Sequence, residues 1–171
     1  MKRKYLFLSG IAFLLSTAFI GTAVARELTQ EEEEVVCRLD EVVQEADRDG
    51  YELAFWPVVR TGPAQVSAPL SVLLDPSIEY VFVGYCDENC SDVDVSINTL
   101  AGEELKSESD ALSVLPFEPP YTETYELRLK MADCSAEGGC TYGIGILAPE
   151  GVSVPNASRL PEELAQFKLC D

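Results

Sequence analysis

YVFVGYCDENCSDVDVSI, residues 80–97, joins two different patterns. Through Tyr85 the stretch is almost wholly apolar, as in a largely buried strand. From Asp92 onward Val93, Val95 and Ile97 alternate with Asp94 and Ser96, the period of a strand with one buried and one wetted face. Between them Cys86 and Cys90 bracket a short polar segment. The whole reads as strand, disulfide-closed turn, strand.

The same turn holds the candidate cation ligands Asp87, Asp92 and Asp94. An EF-hand loop is excluded. Counted from Asp87, the sixth position is Asp92 where that loop needs Gly, and the twelfth is Asn98 where it needs Glu. Alternate carboxylates on one strand face stand roughly 7 Å apart, too far to share an ion unless the turn folds Asp87 back. The expectation is a weak calcium site at most. Asp94 is expected to face a cross-strand base, Arg128 or Lys130.

Working outward, the period of two recurs from residue 51 to 149. Tyr51, Leu53, Phe55 and Val59 are expected on one face of a strand, with Trp56 on the other. Leu70, Val72 and Leu74 alternate. Tyr125, Leu127, Leu129 and Met131 point one way, and Glu126, Arg128 and Lys130 the other. TYGIGILA, residues 141–148, places glycines at alternate positions, where a neighbouring element can approach closely. Short strands punctuated by Gly, Pro and Asp predict an antiparallel β-sandwich over 51–150.

Ahead of it, Thr29 and Glu32 form a capping box, and Glu31 to Glu34 load the first helical turn, where the helix dipole favours acids. Val35, Val36, Leu39, Val42, Val43 and Ala46 recur at helical spacing. An amphipathic helix within 26–50 is predicted, its stripe docked on the sandwich beside Trp56. Helical arithmetic turns Cys37 away from that stripe. A tail over 151–171, with a short helix from near Pro161, completes the domain.

Lys2, Arg3 and Lys4 precede an apolar run ending in Ala23-Val24-Ala25, the pattern of a signal peptide over 1–25. That predicts one exported domain over 26–171, secreted or periplasmic, with no membrane insertion after cleavage. The chain of 171 residues carries a net charge of −18, and the leader holds three of its twelve bases and none of its thirty acids. Such acidity repels nucleic acid and anionic membranes.

Six cysteines in an oxidising compartment predict disulfides. Cys86 with Cys90 and Cys134 with Cys140 are local pairs around turn sequences, which leaves Cys37 with Cys170. Zinc is disfavoured by the loose cysteine spacings and by the absence of histidine. Without histidine no Ser-His-Asp or Cys-His arrangement can be assembled.

YVFVGYCDENCSDVDVSI, the turn AGEE, PFEPPYTETYELRLKMADC and GGCTYGIGIL together resemble the bacterial pre-peptidase C-terminal domain family, in a cysteine-rich exported form. The resemblance spans Tyr80 to Leu147. It implies a jelly-roll-like sandwich of the kind appended to secreted proteases and used in substrate or surface attachment.

The reading that follows is a non-catalytic exported binding or accessory module acting on an envelope protein or a glycan. Trp56, Tyr85 and Tyr121 are the candidate aromatic platforms for sugar. The alternatives are a calcium-stabilised structural domain and a hydrolase working through paired carboxylates.

Overall fold

The structure is a computed structural model that describes residues 28–66, 68–157 and 170, apart from the side chains of Trp56 and Ala68. The segment expected to be a signal peptide, the expected C-terminal helix and the placement of Trp56 under the N-terminal helix lie outside the described residues.

Among the described residues one helix, α1 (Gln30–Arg48), precedes eight strands: β1 (Tyr51–Gly62), β2 (Ala68–Leu74), β3 (Tyr80–Cys86), β4 (Val93–Thr99), β5 (Glu104–Asp110), β6 (Leu112–Phe117), β7 (Glu123–Met131) and β8 (Cys140–Pro149). The helix begins as the capping box requires. The Thr29 hydroxyl accepts the Glu32 amide at 3.2 Å, and the Glu32 carboxylate accepts the Thr29 amide at 2.9 Å. The strands form two four-stranded sheets, ordered β1-β8-β3-β6 and β2-β7-β4-β5, with every pairing antiparallel. Only β4 and β5 are sequence neighbours paired within one sheet; the other connections cross between sheets. That topology is a jelly roll. Strands β5 and β6 are additions to the expected series: ELKSESD of β5 is exposed at every position, and β6 buries the polar Ser113 while turning Val114 outward, so neither shows a clean apolar alternation.

The inner faces of the two sheets make one core. Tyr80, Phe82, Leu115 and Ile146 from the first sheet meet Val93, Ile97, Tyr125, Leu127 and Met131 from the second. Phe117 bridges the layers, 6.3 Å from the Phe82 ring and 5.6 Å edge-on from Tyr125. The buried Tyr125 hydroxyl donates to the Tyr121 carbonyl at 3.0 Å, so its burial leaves no polar atom unpaired.

The outer face of the first sheet is apolar as well, which is why β3 and β8 are buried on both sides. Val35 and Leu39 of α1 pack on Val83 and Leu147, with Val42, Val43, Ala46, Leu53 and Val59 around them. Each of the two buried helix side chains contributes about 1.5–3 kcal/mol. The close approach depends on Gly143: a Cβ there would lie 2.8 Å from Val35 Cγ1 and 2.9 Å from Leu39 Cδ1.

Strand β1 corrects one expectation. Its register with β8 shifts between Leu53 and Phe55 and again between Phe55 and Val58. Tyr51, Leu53 and Val59 therefore face the helix, whereas Phe55 and Val58 join Ala54 on the sandwich core. Pro57, which lacks an N–H for the ladder, stands inside the second irregularity of this edge strand.

The three disulfides are Cys37–Cys170, Cys86–Cys90 and Cys134–Cys140. The first joins residues 133 apart in sequence and ties Cys170 to the helix. Among the described residues no helix is long and apolar enough to cross a membrane.

Gly143→Ala should destabilise the fold by about 1–3 kcal/mol by overpacking the helix seam, whereas Gly138→Ala, with nothing within 4 Å of the new Cβ, should be near neutral in the same denaturant titration. Equal midpoints for the two variants would show that α1 does not press on β8. Replacing Cys37 and Cys170 together with serine should cost about 3–5 kcal/mol by the chain-entropy account. A midpoint equal to that of the parent protein would refute a long-range staple.

Candidate binding site

The stapled turn is built around Asp87, which is 2% exposed. Its Oδ1 accepts the Asn89 amide at 3.0 Å and its Oδ2 the Thr141 amide at 2.5 Å. The Asp87 amide donates to the Thr141 carbonyl at 2.8 Å, and the Cys90 amide to the Asp87 carbonyl at 3.0 Å. Both carboxylate oxygens are thus spent on backbone donors that hold the turn against β8. The second disulfide loop leans on the first through a bridge between Cys90 and Cys134. The Asn89 carbonyl accepts both the amide and the hydroxyl of Ser135, at 2.9 and 3.0 Å.

Asp94 belongs to different surroundings. Its Oδ2 lies 3.1 Å from Lys130 Nζ, and its Oδ1 accepts the Ser109 hydroxyl at 2.5 Å. Asp92 lends its backbone carbonyl to the Ala132 amide at 3.0 Å. The three acids singled out in the sequence are not gathered around one point, and among the described residues no group of three or more His, Cys, Asp or Glu side chains converges as a metal cage would require.

The aromatic candidates are also dispersed. Tyr85 lies against α1, with its hydroxyl 3.4 Å from Glu34 Oε1. Burial and the Glu34 carboxylate raise its pKa above the usual tyrosine value. Tyr121 is 70% exposed in the turn before β7.

The site that the fold does assemble is on the outer face of the second sheet, where among the described residues no other element packs. Cross-strand register sets out three rows. Ser109, Asp94 and Lys130 form the first, Ser107, Ser96 and Arg128 the second, and Glu104, Asn98 and Glu126 the third. Neighbouring members stand about 4.8 Å apart by strand spacing. Within the lattice Asp94 pairs with Lys130 and Glu126 with Arg128. The Ser107 hydroxyl donates to Glu104 Oε1 at 2.8 Å, and the Asn98 amide nitrogen to Ser96 Oγ at 3.1 Å. The result is an open groove of about 530 Å³ lined by acids, bases and hydroxyls. Its β4 and β7 members were readable as outward positions, and the pairing of Asp94 with a cross-strand base was expected. Its β5 wall was missed with the strand itself.

A smaller groove of about 300 Å³ runs between α1 and β6, lined mainly by Val42, Ala46, Val81, Leu112, Val114 and Leu147. It marks where the helix stops covering the first sheet.

No protein-family model matches the chain, and no curated protein does. Solved structures similar in part include a family two carbohydrate esterase from Cellvibrio japonicus, at 14% identity and TM-score 0.34 over 66% of this chain and 34% of that one. An arabinose-bound α-L-arabinofuranosidase matches at 11% identity and TM-score 0.31, over 61% of this chain and 24% of that one. A glycosylation-associated protein complex from Streptococcus agalactiae matches at 17% identity and TM-score 0.32, over 66% and 43%. The chain spans less than half the length of each of these three.

Asp87→Ala should lower stability by roughly 1–3 kcal/mol, because it leaves the Thr141 and Asn89 amides without their acceptor. Asp94→Ala removes one half-exposed ion pair and should cost under about 1 kcal/mol. Thermal denaturation of both variants checks the order, and a larger loss at Asp94 would show that the turn is not held by Asp87.

Proposed function

We propose that the protein is an exported, non-catalytic binding module that holds a polar chain of a glycan or of an envelope protein across the open face of its second sheet. One observation carries the reading. Among the described residues, one outward sheet face is largely covered by α1 and the other stands open as a groove of charged and hydroxyl side chains. Its volume lies within the range of about 300–1,000 Å³ common for ligand sites. Such a face is well solvated without a ligand and offers donors and acceptors to a polar one.

Export is supported by the three disulfides, which persist in oxidising compartments, and by the leader-like residues 1–25. A binding rather than catalytic role is supported by the state of the groove's acids. Asp94 is held in an ion pair by Lys130, Glu126 beside the groove is held by Arg128, and Glu104 accepts the Ser107 hydroxyl, so these acids are engaged in binding contacts with their neighbours. No cysteine is free to act as a nucleophile.

The test is titration of isotope-labelled protein with soluble oligosaccharides and with peptides from envelope proteins, followed by NMR. Amide shifts are expected on β4, β5 and β7, at Asp94, Ser96, Ser107, Arg128 and Lys130, with the ligand recovered intact. Shifts confined to Val42, Val114 and their neighbours, or release of cleavage products, would overturn the proposal.

A further inference from the structure

We infer that the ligand class of this groove is an uncharged, polyhydroxylated chain, a neutral glycan, bound by charged side chains rather than by stacking; this rests on the binding-module reading above. Both bases of the groove are already matched by acids, Lys130 by Asp94 and Arg128 by Glu126. An anionic sugar would have to displace those carboxylates, and it would meet Glu104 and Glu108 along the same groove and a chain of net charge −18. A cationic segment would be drawn by Glu104 and Glu108 at the wall, but to reach the floor it would have to part Lys130 from Asp94 and Arg128 from Glu126.

A hydroxyl group avoids both conflicts. It accepts from a guanidinium or ammonium while donating to the neighbouring carboxylate, so one sugar hydroxyl bridges a pair without separating it. The Lys130–Asp94 pair lies within the first row and the Arg128–Glu126 pair links the second to the third, and both remain within reach of solvent, with side-chain exposures of 41% and 32% for Lys130 and Asp94 and 40% and 21% for Arg128 and Glu126. Ser96, Ser107 and Ser109 add short hydroxyls that leave room above the sheet. Among the described residues no aromatic side chain lines the groove, so selectivity comes from hydrogen-bond pattern, and affinity is modest, from about 10 μM to 1 mM.

The experiment is isothermal titration of the disulfide-bonded protein with three probes: neutral hexasaccharides (cello-, xylo-, malto- and chito-), oligogalacturonate, and an oligolysine peptide. At least one neutral hexasaccharide should bind, with an affinity that changes less than about twofold between low and high salt because no net charge is screened. Asp94→Ala and Arg128→Ala should each weaken it by roughly tenfold or more, since hydrogen bonds to charged groups are the strong ones. Glu118→Ala, outside the groove, should not, and a cooperative melting transition within several degrees of the parent's certifies folding of each variant. Binding of oligogalacturonate or oligolysine alone, lost in the groove variants and weakened by salt, overturns the neutral-glycan inference and leaves the binding groove standing. Failure of every neutral hexasaccharide at millimolar concentration also overturns the inference. Glycan binding indifferent to both groove variants overturns the groove itself.

Discussion

The docking of α1 on the outer face of the first sheet is the contact on which the rest of the molecule depends. A two-layer sandwich has a single shared interior, and each sheet keeps one face turned outward. In this chain β3 and β8 are apolar on both faces, so the outer side of the first sheet has to be covered. Val35 and Leu39 supply the cover, and they reach the sheet because Gly143 carries no side chain to hold them off. The disulfide from Cys37 then pins the same helix to the far end of the chain.

Covering one sheet leaves the outward face of the other, among the described residues, to solvent. The outward positions of β4 and β7 bear Asp94, Ser96, Arg128 and Lys130, and β5 adds serines and glutamates, so this side needs no cover and invites polar contact. The edge of the sandwich is managed separately. Positions of β5 opposite the inward-facing Val95 and Ile97 carry Glu108 and Lys106, charges that discourage a second chain from adding to the edge. Lys106 Nζ reaches across to the Pro116 carbonyl of β6 at 2.6 Å and closes the gap between the two sheets. The Ser113 hydroxyl, donating to the Val93 carbonyl at 2.5 Å, does the same deeper inside. The turns at 86–90 and 134–140 are held to β8 by the two local disulfides and the buried Asp87 carboxylate.

Much of this was legible in the chain because burial writes itself as period. The helix showed its cap and stripe, and β4 and β7 showed alternation. The apolar run of β3 marked a largely buried strand, and the alternate glycines of β8 marked a place of close approach. Three features were not legible. Strand β5 has no buried position, and its neighbour in sequence β6 buries Ser113 and exposes Val114, so neither leaves a clear trace in hydropathy. The bulges of β1 turn Phe55 away from Tyr51 and Leu53, which simple alternation cannot register. Asp87 looked like a cation ligand because sequence shows an acid's charge and hides the backbone amides that fold around it. The groove was half visible for the same reasons: its β4 and β7 members follow from alternation, whereas its wall depends on a strand that period alone does not reveal.

The most direct test of this account is native-state hydrogen exchange of the disulfide-bonded protein across a denaturant series. If α1 is part of the sandwich's cooperative unit, the slowest amides of the helix, around Leu39 to Val43, should exchange with the same opening free energy as those of β8. Helix amides that exchange at the rate of an isolated helix, while β8 stays protected to the global limit, would contradict it.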